Sequence, residues 1–262
     1  MNLMEIEDAA RCAWPAFEEK EMSFGVLRYS RGTDRRSNSL SLYPYADFEA
    51  EELITAVEKF YSERDAAPIV KIVRPKGIAI EALKGIDSAL QLKGYEKQAP
   101  TFSMLLDLSS MSAMRVSVKA APIETVDAGS WLQSWYALTA RPLEKMQSHK
   151  ALLEKSALSH RYLLGYESGG AVVSSGMAVC ANQTMGLFGI STAIEHRKRG
   201  YALATIASLL KWGREKGARF AYLQVEESNQ AAVKLYQKLG FKSSYSYWYR
   251  VGKHHAGKGD RN

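Results

Sequence analysis

The segment from Glu195 to Phe241 alternates helix and strand signals, and it constrains the fold more than any other part of the chain. It opens with basic residues around Gly200, after which apolar residues recur at helical spacing up to Gly217. A strand pattern, a second helical pattern and a terminal strand pattern follow at 219–227, 229–240 and 243–251. Because helices alternate with strands, this segment predicts an α/β layer fold.

The rest of the chain carries a comparable succession of patterns. In the N-terminal half we predict a helix at 5–14, strands at 23–30 and 37–43, a helix at 49–65, a strand at 68–73, a helix at 80–94 and a strand at 100–108. A new unit is predicted near Arg115, with a strand at 116–122, helices at 128–140 and 146–160, and strands at 161–168, 171–181 and 184–192. The segments "ALQLKGY" and "LYQKLGF" both end a helix on glycine and an aromatic residue, which indicates a duplicated unit.

Length and composition set the outer limits of this interpretation. With 262 residues, the chain is predicted to form two domains, 1–112 and 113–251, followed by a disordered tail at 252–262. The 35 Lys and Arg against 28 Asp and Glu favour an anionic ligand, while no long basic tract supports nucleic acid. Without a leader's apolar core or a membrane-length apolar run, we expect a cytoplasmic protein with no membrane partner, as a monomer or a homodimer.

The two cysteines indicate neither a disulfide framework nor a metal site. Cys12 and Cys180 are far apart and form no C-x-x-C pair, so both are interpreted as buried thiols. The histidines show no ligand spacing, and no metal is predicted.

The basic turn before the helix at 201 has the composition of a phosphate site. A helix N-terminus presents unpaired N–H groups and a partial positive charge, to which an anion can bind. Gly200 would let the backbone approach a ligand, and Ala202 is small enough not to block it. Taken alone, the pattern also fits a solvated turn before an ordinary amphipathic helix.

A polar residue and a tyrosine occupy one predicted face of the following helix. Asn229 is placed to cap a helix that begins at Gln230, and Tyr236 follows two turns later on the same face, with Ala232 between them. Taken alone, this pattern also fits a capped helix with a half-buried tyrosine.

Together the two motifs resemble those of the Gcn5-related N-acetyltransferases. Arg197, Gly200 and Ala202 match the acyl-CoA motif of that family, and its later pattern is matched by Asn229, Ala232, Leu235, Tyr236, Gly240 and Phe241. The resemblance covers roughly residues 115–251, and residues 1–110 look like a degenerate copy in which Leu90 stands at the tyrosine position. The resemblance implies an α/β fold with two tandem units, each a mixed, mostly antiparallel sheet flanked by helices.

The resemblance also implies acetyl-CoA as the co-substrate. Its diphosphate would be held by the loop that contains Arg197, Lys198, Arg199, Gly200, Tyr201 and Ala202. The pantetheine arm would pair with the preceding strand at Ile190, Thr192 and Ile194, where this strand and the one ending near Glu226 separate. Asn229 and Ala232 would contact the arm, and Tyr236 would lie beside the thioester sulfur.

The predicted activity is acetyl transfer to a primary amine of a small molecule or peptide, with Tyr236 as general acid. The amine must lose a proton before it attacks the thioester, so a base is required. Relatives that acetylate ribosomal proteins carry a glutamate where Gln224 stands, so Glu226 is predicted as the substitute, ahead of Glu227 and Glu195.

Two other functions and one structural question stay open at this point. The chain could be a non-catalytic acyl-CoA sensor or interaction module, or it could transfer another acyl or aminoacyl group. Trp131, Trp135 and Tyr136 are interpreted as core residues, although in the family the helices of this region form the acceptor wall, so one of them could line it.

Overall fold

The computed structural model describes residues 1–43, 46–77, 84–110 and 123–254. Its helices are α1 (Leu3–Ala13), α2 (Ala50–Ser62), α3 (Lys84–Leu92), α4 (Ala128–Thr139), α5 (Met146–Lys155), α6 (Tyr201–Glu215) and α7 (Gln230–Lys238). Its strands are β1 (Glu18–Met22), β2 (Gly25–Tyr29), β3 (Leu40–Leu42), β4 (Ile69–Pro75), β5 (Glu96–Asp107), β6 (Ile123–Val126), β7 (Ser159–Tyr166), β8 (Val172–Ala181), β9 (Thr184–Thr192), β10 (Phe220–Glu226) and β11 (Lys242–Val251). The predicted α/β class with a mixed, mostly antiparallel sheet is confirmed, since only the β3–β4 and β9–β10 pairs are parallel among the described pairings.

The chain divides into two compact units that are discontinuous in sequence. The first unit contains Met1–Pro15, Met104–Gln224 and Ala231–Lys242, and the second contains Ala16–Ser103, Val225–Gln230 and Ser243–Asn262. These ranges differ from the continuous ones predicted, because α1 packs on β8 and β9 while β11 pairs with β4. The predicted boundary at 112 and the predicted strand at 116–122 lie outside the described residues.

The second unit has the strand order β1-β2-β3-β4-β11, followed by the first part of β5. One face of this sheet packs against α2 and α3, and Leu53, Val57, Leu90 and Trp248 lie in that apolar core. Gly252, the first residue of the predicted tail, is buried, and its N–H donates to the Pro68 carbonyl at 2.8 Å. Residues 255–262 of the predicted tail lie outside the described residues.

Strand β1 was not predicted, because its sequence EEKEM lacks alternating apolar residues. It pairs antiparallel with β2 over its whole length and is a solvent-facing edge strand. Its Glu19 forms a 2.9 Å ion pair with Arg28, whose side chain is only 2% exposed. Backbone pairing with β2 and this ion pair therefore stabilise β1. Its charged side chains also suit an edge strand, because they discourage pairing with another chain.

The first unit runs from the last part of β5 through the order β10-β9-β8-β7-β6. Helix α6 packs on β8 and β9 so closely that a Cβ on Gly213 would come 2.0 Å from the Met185 sulfur. Helices α4 and α1 also pack against β8 and β9.

One cysteine prediction is wrong. Helix α1 buries Ile6, Ala10 and Ala13, which recur at spacings of three and four, and Cys12 falls outside that face and is exposed. Cys180 on β8 is buried as predicted, and burial raises the pKa of its thiol to about 11.

No helix in the described ranges is both long enough and apolar enough to cross a bilayer.

Candidate active site

Strand β9 contains a bulge near its C-terminal end. Ser175 on β8 pairs with Ser191, whereas Met177 pairs with Phe188, so Gly189 and Ile190 together face the single residue Gly176. Gly189 has φ 56°, and its carbonyl accepts a hydrogen bond from the Ser175 hydroxyl at 3.0 Å. The bulge re-aims the end of the strand, where Ile190 and Thr192 were predicted to bind pantetheine.

The parallel pairing of β9 with β10 stops at Leu187 and Leu223, although both strands continue beyond it. The end of β9 is thus without a described partner strand on that side, and its backbone groups can pair with a ligand. This geometry is what a ligand that adds to the strand edge requires.

The loop after β9 places a left-handed turn immediately before α6. Lys198 has φ 62° and Gly200 has φ 89°, and Gly200 is the N-cap residue of α6. No described side chain caps this helix, so its first N–H groups point out of the helix without a side-chain acceptor. Glycine adopts such a φ without the steric cost that a side chain would add. The backbone before α6 therefore has the conformation that the predicted anion site requires.

Basic side chains surround this helix N-terminus. Arg197, Lys198 and Arg199 are all exposed, and the Arg197 Nε donates to the Thr192 carbonyl at 3.4 Å. Tyr201 and Ala202 are half-buried in the first turn of α6, while Ile194 is 75% exposed. The positive potential of these groups adds to that of the helix terminus.

Two buried polar atoms at the end of β9 have no hydrogen-bond partner among the described residues: Thr192 Oγ1 and His196 Nδ1. The other ring nitrogen of His196 lies 3.5 Å from Glu167 Oε2, and its ring meets Tyr201 edge-on at 5.9 Å. Buried polar groups normally have partners, so these two atoms mark a place for polar ligand groups. A phosphate or an amide fits them, and the residues present therefore suit acetyl-CoA. The burial of His196 Nδ1 could not be predicted from the sequence, because it depends on the loop conformation and not on a spacing.

Tyr236 lies on α7 with its side chain 7% exposed, and burial raises the pKa of its phenol to about 12. Its ring meets Phe241 edge-on at 5.9 Å, and its carbonyl accepts the N–H groups of Leu239 and Phe241, which end the helix. No described residue forms a hydrogen bond with the hydroxyl. Tyr236 is thus a protonated phenol in an apolar setting. Ala232, on the same helix, is half-buried.

Glu226 and Asn229 occupy the short connection between β10 and α7. Both are exposed, and the Asn229 N–H donates to the Glu226 carbonyl at 3.0 Å. Helix α7 begins at Gln230 as predicted. Segment Val225–Gln230 belongs to the second unit, whereas Ile190, Thr192, the loop before α6 and Tyr236 belong to the first.

An aromatic group lies on α4 beside the β9 bulge. Trp131 and Tyr136 are 0% and 1% exposed, and Trp135 is 7% exposed, which confirms that they are core residues. The described residues contain no group of three or more His, Cys, Asp and Glu side chains that could hold a metal ion.

Solved structures share this architecture. A tandem protein of the clavulanic acid biosynthesis pathway matches 84% of this chain and 74% of its own with a TM-score of 0.64 at 15% identity. A Gcn5-related N-acetyltransferase from Kribbella flavida matches 97% of both chains with a TM-score of 0.66 at 13% identity. The fold is that of the Gcn5-related N-acetyltransferases, and the protein is an acetyltransferase of this class.

Sequence comparison identifies the particular family. The chain belongs to the family described as probable histone acetyltransferase Rv0428c C-terminal, whose profile matches residues 2–250. It is also 28% identical over 255 residues to YobR, an uncharacterized N-acetyltransferase of Bacillus subtilis, covering 95% of this chain and 98% of that protein.

Proposed function

We propose that this acetyltransferase moves the acetyl group of acetyl-CoA to a primary amine by direct attack, with Tyr236 as general acid. The observation that carries the proposal is the uncapped N-terminus of α6 behind a left-handed Gly200 (φ 89°), next to a strand end that has buried polar atoms without described partners. Amides, positive charge and an open strand edge together suit a nucleotide diphosphate joined to an amide-containing arm.

Each part of the co-substrate is assigned to residues of the chain. The loop Arg197, Lys198, Arg199, Gly200, Tyr201 and Ala202 would bind the diphosphate. Ile190, Thr192 and Ile194 would bind the arm at the β9 end, and Asn229 and Ala232 would contact it from the connection to α7 and from α7 itself. Bound acetyl-CoA supplies the activated acetyl group.

Proton transfer is assigned to two side chains. The acceptor is a small-molecule or peptide amine, and an amine of pKa near 10 must lose a proton before it attacks. Glu226 is exposed at the end of β10 and is proposed to take that proton directly or through water. Tyr236 keeps its proton, since burial raises its pKa to about 12, and it can donate this proton to the departing thiolate.

Calorimetry with acetyl-CoA tests the binding step. Gly200→Glu should abolish binding, because it places a carboxylate where the diphosphate would approach. Gly217→Glu is the matched control: Gly217 follows the other end of α6 with φ 84° and has open space around its Cβ position. Both variants add the same charge at a glycine of similar left-handed φ, 89° and 84°. We expect one molecule bound per chain for the wild type and the Gly217 variant. Two equivalent sites, or wild-type binding by the Gly200 variant, would contradict the proposal.

Acetyl-CoA consumption measured against amino acids, polyamines, aminoglycosides and peptide N-termini tests the transfer step. Turnover with any of these amines identifies the acceptor class. Binding of acetyl-CoA without turnover on the whole panel would instead support a sensor or interaction module.

A further inference from the structure

Strand β9 becomes accessible to solvent at its bulge. Residues 185–188 are buried, whereas Gly189 and Ile190 are half-buried, and the pairing with β10 has already stopped at Leu187. The loop assigned to the diphosphate follows β9, so an arm that runs back along the strand edge reaches Ile190 last. The acyl end of acetyl-CoA bound in this way lies beside the backbone of the bulge.

A buried hydroxyl binds one peptide group of the bulge. Ser175 on β8 is 0% exposed, and its hydroxyl donates to the Gly189 carbonyl at 3.0 Å. The peptide that joins Gly189 to Ile190 is trans. In a planar trans peptide the C=O and the following N–H point in opposite directions, so the Ile190 N–H points away from the Ser175 hydroxyl. The hydrogen bond from Ser175 therefore also sets the direction of the Ile190 donor.

Side-chain packing holds the bulge on both faces of the sheet. If Gly176 on β8 carried a Cβ, that atom would lie 2.8 Å from Ile190 Cδ1 and 2.5 Å from Thr205 Cγ2 on α6. A Cβ on Gly189 would lie 2.5 Å from Trp131 Cζ2 of α4. With its carbonyl bonded and both neighbours packed, the peptide cannot rotate freely. A donor fixed in this way is preorganised to stabilise charge that develops next to it.

We propose that Ser175 is a positioning residue for acetyl transfer, which holds the Gly189 peptide so that the Ile190 N–H donates to the carbonyl oxygen of the acyl group. This rests on the proposed binding of acetyl-CoA along the end of β9. When the amine nitrogen bonds to the acyl carbon, an electron pair of the C=O bond moves to the oxygen, and the Ile190 N–H stabilises that charge. The C=O bond forms again as the C–S bond breaks and the thiolate takes a proton from Tyr236. Ser175 touches none of the reacting atoms and acts through the peptide.

Two adjacent serines of β8 give a matched kinetic test. Ser174 is also 0% exposed, but its hydroxyl lies 3.3 Å from Thr205 Oγ1 on α6 and not at the bulge. Ser175→Ala should lower kcat on an accepted amine about 10²-fold with little change in the KM for acetyl-CoA, because a misplaced donor is lost mainly in the transition state. Ser174→Ala removes the same group one residue away and should keep wild-type kcat. Ser175→Thr keeps the hydroxyl and should recover most of the activity.

The backbone amide signal of Ile190 tests the donor directly. CoA and acetyl-CoA form a matched ligand pair, since they differ only in the acyl group. In ¹⁵N–¹H spectra of protein labelled at isoleucine, with Ile190→Val to assign the signal, acetyl-CoA but not CoA should move the Ile190 amide proton downfield. This difference should shrink in Ser175→Ala. The Ile6 amide is the internal reference, because it already donates to the Asn2 carbonyl at 3.2 Å within α1.

The outcomes separate this inference from the proposed function. If CoA and acetyl-CoA both bind and move the Ile190 signal identically, the inference is overturned while the proposed function stands. Wild-type kcat in folded Ser175→Ala, or an equal loss in Ser174→Ala, would overturn it as well. If Ser175→Ala does not fold, Ser175→Cys replaces it in both measurements, since a thiol fills the space but is a weak donor. If neither ligand perturbs any signal, both proposals fail together.

Discussion

Replacing Tyr236 with phenylalanine separates the assigned general acid from a packing residue. The ring stays in its 7% exposed position against Phe241, and only the hydroxyl is lost. Because no described residue hydrogen-bonds that hydroxyl, we expect the free energy of unfolding to change by less than about 0.5 kcal/mol. Affinity for acetyl-CoA should also stay nearly constant.

The energy of proton transfer can be worked out from two groups of the chain. Burial raises the pKa of Tyr236 to about 12, and a free thiol has a pKa of about 8.5, so transfer to a solvated thiolate would cost about 4.8 kcal/mol. A buried thiol is a better acceptor: burial raises the pKa of Cys180 to about 11. A departing thiolate that is buried to the same degree lies about one unit below Tyr236, and transfer then costs about 1.4 kcal/mol.

The kinetic expectation follows from that small cost. Steady-state rates on an accepted amine should show kcat of Tyr236→Phe lowered about 10²- to 10⁴-fold. A raised tyrosine pKa keeps the phenol protonated through pH 10, so Tyr236 should cause no fall in kcat between pH 8 and pH 10. Tyr61→Phe is the control: its hydroxyl donates to the Arg28 carbonyl at 2.7 Å, so this variant should lose about 1 kcal/mol of stability and keep its kcat. Wild-type kcat in Tyr236→Phe would refute the reasoning.

Three further substitutions or modifications test the structure. Asp87 accepts hydrogen bonds from Arg250, whose side chain is 6% exposed. Burial alone would raise the pKa of Asp87, but these bonds and the one from Trp248 hold that pKa below its ordinary value. Asp87→Asn should therefore lower the free energy of unfolding in urea by about 3 kcal/mol. Since the lowered pKa stabilises the folded state above about pH 4, the difference from wild type should shrink as the pH falls through that lowered value; a constant difference would contradict it. Gly189→Ala should destabilise the protein by about 1–3 kcal/mol, because its Cβ would meet Trp131 at 2.5 Å and its φ is 56°, and an unchanged melting curve would refute the packing described. Maleimide under native conditions should label exposed Cys12 and spare buried Cys180, as mass spectrometry of peptides would show; equal labelling would contradict the assignment.

The elements around the candidate site could be predicted because their signals are local. Gly200 before a helical pattern, the start of α7 at Gln230 and the strand leading to Thr192 all depend on spacings of a few residues. The bulge at Gly189 could not be predicted, since it depends on how β9 pairs with β8 and on the indoles packed against it.

Long-range contacts explain the remaining differences. β1 forms because β2 supplies its backbone partners, which no periodicity in EEKEM can indicate. The units are discontinuous because α1 and β11 pack or pair with segments distant in sequence, on β8 and β9 and on β4. Cys12 is exposed because the position of the buried face of α1 depends on what the helix packs against.

Charge at the helix N-termini explains why only one half of the chain is proposed to bind acetyl-CoA. Both α2 and α6 follow a strand-containing segment and begin without a described side-chain cap, so both present free N–H groups. The first turn of α2 contains Glu51 and Glu52, whereas α6 has no acidic residue in its first turn and is preceded by Arg197–Arg199. The carboxylates of Glu51 and Glu52 already offset the partial positive charge at the N-terminus of α2. They would repel a diphosphate that approached this helix end. The N-cap residues also differ, since Gly200 is left-handed with φ 89° and Glu49 before α2 is extended with φ -82°. Charge and backbone therefore both favour an anion at α6 over α2, and together with buried Leu90 at the tyrosine position they argue for a single acetyl-CoA site per chain.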